Sequence, residues 1–478
     1  MPRRKEIVIV GNGMATCRLL DELVARNAQE RYDISVIGDE PGGAYNRVML
    51  SKVLEGAEPD AVVTKPPQWY TDHGMKLVAP HVAERVDTTE RHVVLRDAAP
   101  LRYDIAILAT GSQPVVPHFE GMHDERGELK EGVFVYRTMD DCLRMRSYAR
   151  PGDNAVVLGG GLLGLEAAKV LSDRGLHVTV VHLAHGLMNT QLDFVGGEML
   201  RRQIERCGMF VRVGRTVESV IGDRCVEAVV LNDGERLAAD VLVVACGIRP
   251  RVDVARNSRI PVNKGILIND TLATQVPGIY AVGECTEHAG VTYGLVAPAW
   301  EQATVLAGLL TGAQPQARYR GSKLYARLKV AGVEVASFGV LEPTLETDRA
   351  LQIIEERAFS YRKLVLRGRQ LVGAMFVGDV TNAASLVQTF DRGDPLPEDP
   401  LEVLCNITSA GAAGGGERTV CTCCKVSEST IVTCIQDGAD SCEAVTEQTR
   451  AGSGCGSCKT EVARLIQLHA KPVLAAAG

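Results

Sequence analysis

The chain has 478 residues, 46% of them hydrophobic and 23% charged, with a formal net charge of −7. That length exceeds what one hydrophobic core organises and predicts two to four domains; the acidic balance argues against nucleic acid or an anionic membrane surface as partner. No apolar run approaches the roughly eighteen residues of a membrane helix, and the short run in MPRRKEIVIV is too brief for a signal peptide, so a cytoplasmic protein is expected.

The first elements in chain order are a buried-strand pattern over Glu6–Val10, the turn Gly11-Asn12-Gly13, a helical pattern over Met14–Arg26 and a second strand over Asp33–Ile37. Together they read as a βαβ unit. The arrangement recurs about 150 residues later in NAVVLGGGLLGLEAAKVLSDRGLHVTVVHL, which predicts two nucleotide-binding domains. In such a unit the first glycine permits the tight turn, the second lets backbone approach a pyrophosphate, and the third lets helix and strand pack closely. Gly159, Gly161 and Gly164 fill all three places. Gly11 and Gly13 fill the first two, but Thr16 stands at the third and is expected to push its helix slightly away from the strand without abolishing phosphate binding.

An acid after the second strand ordinarily takes the ribose hydroxyls. Asp39 and Glu40 stand there in the first unit; in the second the place holds His182, with His185 close by and no acid. Without an acid to repel a 2′-phosphate, and without an arginine to attract one, the choice between NADH and NADPH stays open.

Two further strand-to-turn junctions follow, YDIAILATGSQPVVP and ADVLVVACGIRPRVD, and then TLATQVPGIYAVGECTEHAG, a strand that stops at a glycine and an acid. From Ser322 to Val387 the pattern becomes β-rich, predicting a smaller sheet domain. DRGDPLPEDPLEV and TSAGAAGGGERT then read as a linker.

Beyond the linker the cysteines crowd. Of 14 in the chain, Cys405, Cys421, Cys423, Cys424, Cys434, Cys442, Cys455 and Cys458 fall in the last quarter. Cys421 and Cys423 form C-x-C, and Cys455 and Cys458 form C-x-x-C. Two such pairs suit one compact metal centre, and spacing alone does not separate structural zinc from a [2Fe-2S] cluster.

The order of motifs GNGMAT, YNRVMLSK, LATGSQP, GGGLLGLEAA, ACGIRP, IYAVGEC and YGLVAP resembles the two-dinucleotide-domain flavoprotein reductases of the glutathione reductase superfamily. More narrowly, it is similar to the FAD/NAD(P)H module of assimilatory nitrite reductase large subunits and to the electron-transfer subunit of bacterial assimilatory nitrate reductases. The resemblance runs from about Ile7 to Leu468. It implies an α/β chain with two Rossmann-like domains, a small α+β domain and a small helical [2Fe-2S] domain. The expected boundaries are 1–115 plus 245–320 for FAD, 116–244 for NAD(P)H, 321–395 for the α+β domain, 396–419 for the linker and 420–470 for the cluster.

Carried over motif by motif, the resemblance implies FAD contacts from Gly11, Gly13, Met14 and Ala15 of the first turn, from Asp39, Glu40, Arg47 and Lys52, and from Ala109, Thr110 and Gly111. Gly247, Gly283 and Glu284 join them, with Glu284 at the place of an aspartate that accepts from a ribitol hydroxyl. NAD(P)H falls to Gly159, Gly161, Leu162, Leu163, Gly164, Glu166 and His182. Cys17 stands alone in the first helix and YNRVMLSK has no cysteine, so disulfide reduction is not expected. Instead Lys52 and Glu166 match a pair that ferredoxin- and rubredoxin-linked reductases place beside the flavin ring. There a lysine stabilises negative charge on reduced flavin and a carboxylate holds the lysine.

The cysteine segment resembles the [2Fe-2S] domain of bacterioferritin-associated ferredoxins, with Cys421, Cys423, Cys455 and Cys458 as ligands and Cys424 as the rival of Cys423. A tethered one-electron carrier also suits a flavin that takes two electrons at once, where zinc would not. Cys405, Cys434 and Cys442 are expected to be packing thiols. With little chain after the cluster motif, and neither a sirohaem nor a molybdopterin domain, the expectation is a chain that feeds a terminal reductase, foremost a molybdenum-containing assimilatory nitrate reductase. A stand-alone ferredoxin or rubredoxin reductase and a redox-sensing regulatory flavoprotein are the alternatives.

Overall fold

Ile7, Val8, Ile9 and Val10 are each at most 3% exposed, so the strand Lys5–Val10 is covered on both faces, as a central parallel strand must be. The computed structural model describes residues 3–330, 332–405, 418–421, 424–454, 456 and 458–470, in two units. The first unit gathers Met1–Val115, Arg137–Leu143 and Gly247–Ser322; the second gathers Val116–Tyr136, Arg144–Cys246 and Lys323–Gly478.

In the first unit five parallel strands lie in the order Ile279–Ala281, Ile105–Leu108, Lys5–Val10, Tyr32–Ile37, Lys76–Val78. Ile7 is in register with Ile34 on one side and Ile105 on the other. The helix Met14–Val24 lays Leu19, Leu20 and Leu23 into the core, and the helix Val296–Thr311 adds Ala303, Leu306 and Ala307. Because the strands are parallel, their carboxyl ends share one edge. Gly11 follows Val10, Ala109 follows Leu108, and Gly283 comes two residues after Ala281, so three motifs distant in sequence meet there. The two strand-to-turn junctions also meet: Ser112–Pro114 pairs antiparallel with Ile248–Pro250.

The second unit repeats the plan. Its parallel sheet runs Val133–Val135, Val241–Val244, Asn154–Leu158, His177–His182, Phe210–Val213, with the helix Leu162–Asp173 following the second glycine turn. An antiparallel sheet of five strands between Tyr325 and Val377, backed by the helix Ala383–Arg392, forms the smaller α+β part. Asp193 ties it to the nucleotide fold. Its carboxylate caps the helix Phe194–Arg206 at the Gly196 N–H (2.8 Å) and accepts from Tyr361 (2.7 Å) and Lys363 (2.8 Å), with both ionic side chains at most 5% exposed.

The cysteine segment folds as the helices Glu428–Gln436, Cys442–Thr449 and Lys459–His469, the first two capped by Ser427 and Ser441 side chains. Its own small core includes Ile431, Ile435, Val445, Val462 and Leu465. The chain is thus α/β, with two dinucleotide folds, a small α+β part and a helical C-terminal module. No helix among the described residues is long and apolar enough to cross a membrane.

Candidate dinucleotide and cluster sites

At the first turn Gly11 has φ +111°, and a Cβ there would lie 2.2 Å from the Ala109 carbonyl oxygen. Only glycine closes this turn. Gly13 has just the Arg47 Nε at 4.0 Å, so its backbone faces open space at the start of the helix Met14–Val24. Thr16 is fully buried, and its hydroxyl donates to the Gly11 carbonyl at 2.7 Å. The displacement expected of this residue is thus met by a hydrogen bond that staples helix to turn. Asn12, between the glycines, accepts from the Tyr70 hydroxyl at 2.6 Å, and Tyr70 is completely buried.

A cleft of about 550 Å³ opens beside this turn, lined among others by Gly11, Asp39, His81, Val82, Thr110 and Arg251. The two acids part company here. Asp39 lines the cleft and pairs with Arg251; burial raises its pKa, but Arg251, its own backbone N–H and the charge of Arg47 together outweigh burial and hold the carboxyl below the usual carboxylate range. Glu40 is instead engaged by Arg47 and by the Tyr45 hydroxyl (2.6 Å), which in turn accepts from Arg47 (2.8 Å) and the Met139 N–H (3.1 Å).

Glu284 is half-buried, and one carboxylate oxygen accepts from Ser112 (2.6 Å) and Arg137 (2.5 Å). Its other oxygen remains an acceptor for a ligand hydroxyl. Gly283, with φ +90°, packs where a Cβ would meet Ala15 at 2.9 Å. Thr110 donates to the Arg251 carbonyl at 2.6 Å, while Gly111 and Gly247 adopt positive φ with open space around them.

The second turn is tighter. Gly159 has φ +129°, with a prospective Cβ 2.1 Å from the Ala245 oxygen; at Gly164 it would lie 1.9 Å from the Gly159 oxygen. Gly161 has nothing within 4 Å, as an approach surface for pyrophosphate requires. His182 ends the strand His177–His182 and accepts the Gly160 N–H through Nδ1 at 3.0 Å. Leu162, Leu163 and half-buried Glu166 lie on the helix Leu162–Asp173 of this unit; Lys52 is exposed on the helix Leu50–Glu55 of the other.

In the C-terminal module Cys421 and Cys458 are buried, at 1% and 5% exposure, in one small core. Cys423 and Cys455 lie outside the described residues. Cys424 is half-buried with its sulfur 3.5 Å from the Ser453 hydroxyl. Cys434 and Cys442 pack into the module, whereas Cys405 is exposed and is no packing thiol. It ends a five-residue helix whose apolar face Val403 and Leu404 already fill.

Residues 5–303 match the model of the pyridine nucleotide-disulphide oxidoreductases. The chain belongs to that family.

Residues 325–393 match the rubredoxin NAD+ reductase C-terminal domain, and residues 419–467 a BFD-like [2Fe-2S] binding domain. The chain is 38% identical to the nitrite reductase [NAD(P)H] of Bacillus subtilis (strain 168) over 473 residues, covering 97% of this chain and 58% of that one. It is 33% identical over 469 residues to the assimilatory nitrate reductase electron transfer subunit of the same organism, covering 97% and 60%. It thus spans about three-fifths of the length of both relatives. Among solved structures, the covalent putidaredoxin reductase–putidaredoxin complex superposes with TM-score 0.73 at 23% identity, over 84% of this chain and 98% of that one. NADH:rubredoxin oxidoreductase from Clostridium acetobutylicum does so with 0.68 at 22%, over 85% and 100%. At such identities the likeness establishes the fold.

This family member is an NAD(P)H-dependent flavoprotein oxidoreductase with FAD and a [2Fe-2S] centre as cofactors. Its residues fit them: Gly13 and Gly161 leave backbone open at helix starts, Glu284 keeps an acceptor oxygen, and two buried thiols share one small core. Despite the family name, the first helix carries a single thiol, Cys17, buried and close to Thr64 (3.5 Å). Sequence reasoning missed Arg137, Ser112, Arg251 and Tyr70. Ser112 and Arg251 belong to motifs already read as turns, but nothing local marks Arg137 or Tyr70.

Proposed function

We propose that the chain oxidises NADH or NADPH and delivers the electrons, by way of FAD and the C-terminal cluster, to a separate terminal reductase, an assimilatory nitrate reductase. The observation that carries this reading is one chain joining two glycine turns of dinucleotide type to a C-terminal module whose small core holds Cys421 and Cys458. FAD supplies the exchange between a hydride pair and single electrons, and a [2Fe-2S] centre the one-electron relay. In this reading Gly11, Gly13 and Glu284 hold FAD, and Gly159, Gly161 and Gly164 hold the nicotinamide nucleotide. Cys421, Cys423, Cys455 and Cys458 ligate the cluster, with Cys424 turned to Ser453 and left out. Lys52 keeps a positive charge beside the flavin. Lys52→Met then slows flavin reduction while FAD content is kept; an unchanged rate returns Lys52 to the surface.

Protein purified anaerobically contains about two irons and two labile sulfides per chain and gives an S = 1/2 signal on reduction. Stoichiometric zinc without sulfide sinks the cluster. Cys455→Ser abolishes transfer to nitrate reductase and leaves flavin reduction by nicotinamide intact; loss of both steps together overturns the division of labour.

A second reading, a self-contained reductase of a small carrier, is favoured by the match of residues 325–393 to the rubredoxin NAD+ reductase C-terminal domain. Rapid turnover with ferredoxin or rubredoxin, and none with nitrate reductase, selects it. Slow turnover with every acceptor selects a redox sensor instead.

A further inference from the structure

In the second glycine turn every backbone group of the middle residue is tied down. The Gly160 carbonyl accepts from the Met188 N–H at 2.9 Å, and the Gly160 N–H donates to His182 Nδ1 at 3.0 Å. The imidazole also sets the volume of the turn: a Cβ on Gly160 would lie 2.8 Å from His182 Cγ and 2.5 Å from Leu187 Cδ2. Because Nδ1 accepts, the ring proton sits on Nε2, which is buried. This ring therefore occupies the place of a ribose-binding acid, yet its one acceptor is already spent inside the protein.

We propose that His182 is a positioning residue of the nicotinamide-nucleotide site: its neutral imidazole holds the second glycine turn in its pyrophosphate-binding shape, so nucleotide affinity requires the ring to be uncharged. The inference rests on the assignment of this turn to the nicotinamide nucleotide. Protonating Nδ1 replaces the acceptor with a second donor facing the Gly160 N–H, and adds a cation beside the positive end of the helix Leu162–Asp173. Burial already lowers the pKa of His182, so the ring is neutral at pH 7.

Burial remains the dominant influence on that titration, over the groups around the ring. Leu187 is an apolar contact, Gly160 offers its backbone N–H, and Gly186 and Asn189 are neutral groups whose hydrogen bonds to the ring oppose burial without outweighing it. On the neighbouring strand and the turn after it, Arg212 and Arg215 are paired with Glu235 and Asp233. His185 is exposed and lies against Gly214.

The test is the affinity of the full-length, FAD-containing protein for NAD+ and NADP+, measured by isothermal titration calorimetry between pH 8 and pH 5. Wild-type affinity falls with acidification, approaching about tenfold per pH unit below the imidazole pKa. His182→Leu binds at least about tenfold more weakly at pH 8, the equivalent of about 1.4 kcal/mol. His182→Asn, whose Oδ1 can accept the same N–H but cannot gain a proton, recovers most of that loss and gives a flat pH profile. A flat wild-type profile, affinity that rises with acid through attraction of phosphate to a cation, or a His182→Asn profile that still follows the wild type overturns the proposal. Gly161→Val separates the two levels. If it binds nucleotide normally the assignment of the turn fails; if it abolishes binding while His182→Leu binds as wild type, only the role of His182 fails.

Discussion

The two glycine turns are copies of one device held in shape by different means. In the second, space does the work: Gly164 sits where a Cβ would lie 1.9 Å from the Gly159 oxygen, and helix meets turn directly. In the first, Thr16 occupies that place and donates a hydrogen bond to the corresponding carbonyl, that of Gly11. The middle residues differ in the same way. Gly160 is clamped by the His182 ring, whereas Asn12 reaches a buried phenol, Tyr70, contributed by a separate helix, Pro67–Asp72. A close backbone approach can thus be set either by absence of a side chain or by a side chain that bonds where it would otherwise clash. The third glycine of the motif is dispensable when a hydroxyl can take its job.

The comparison predicts that the two turns respond unequally to exchange. The largest effect belongs to Gly164→Thr, whose side chain has no room: overpacking of this kind costs about 3 kcal/mol, or roughly hundredfold in nucleotide affinity. NAD+ titration of the variant checks it, with FAD content as the control. Near-normal NAD+ binding would show that the second turn can also accommodate a stapled hydroxyl.

Thr16→Val comes next. It keeps the shape but leaves the Gly11 carbonyl without its donor, at a cost of about 1–2 kcal/mol, and FAD dissociates roughly tenfold faster. Thr16→Gly, which restores the motif, loses less. A variant series in which valine is better than glycine would remove the staple from the account.

Tyr70→Phe deletes one hydrogen bond to Asn12 and costs about 1 kcal/mol. FAD retention after gel filtration drops modestly while NAD+ affinity is unchanged; an equal loss at both sites would mean the phenol supports the fold and not the turn.

The smallest effect is one of pH. The Asp39 carboxyl, held by Arg251 below its ordinary range, contributes to the first unit at every pH above the unfolded carboxylate value of about 3.9 and loses that contribution only as pH falls through its own lower value. FAD retention is therefore flat from pH 8 to 5, and Asp39→Asn lowers it slightly at all of these values. A fall in FAD retention near pH 6 would place the pH-sensitive group in the first turn and blur its contrast with the second.

Much of this was legible in the chain itself. The apolar runs Ile7–Val10 and Ala155–Leu158, the glycines that follow them, and the cysteine pairs are local patterns. Backbone sterics and strand burial make them mean nearly the same thing in any fold. What residues do to one another across the sheet is another matter. That Asp39 lines the cleft while Glu40 is spent on Arg47, that Arg137 holds Glu284 from 147 positions away, and that Tyr70 and His182 brace the turns, only the tertiary structure decided. Parallel strands bring their carboxyl ends to one edge, so the partners meeting there come from segments far apart in sequence, and no local period or propensity records which side chain will find which.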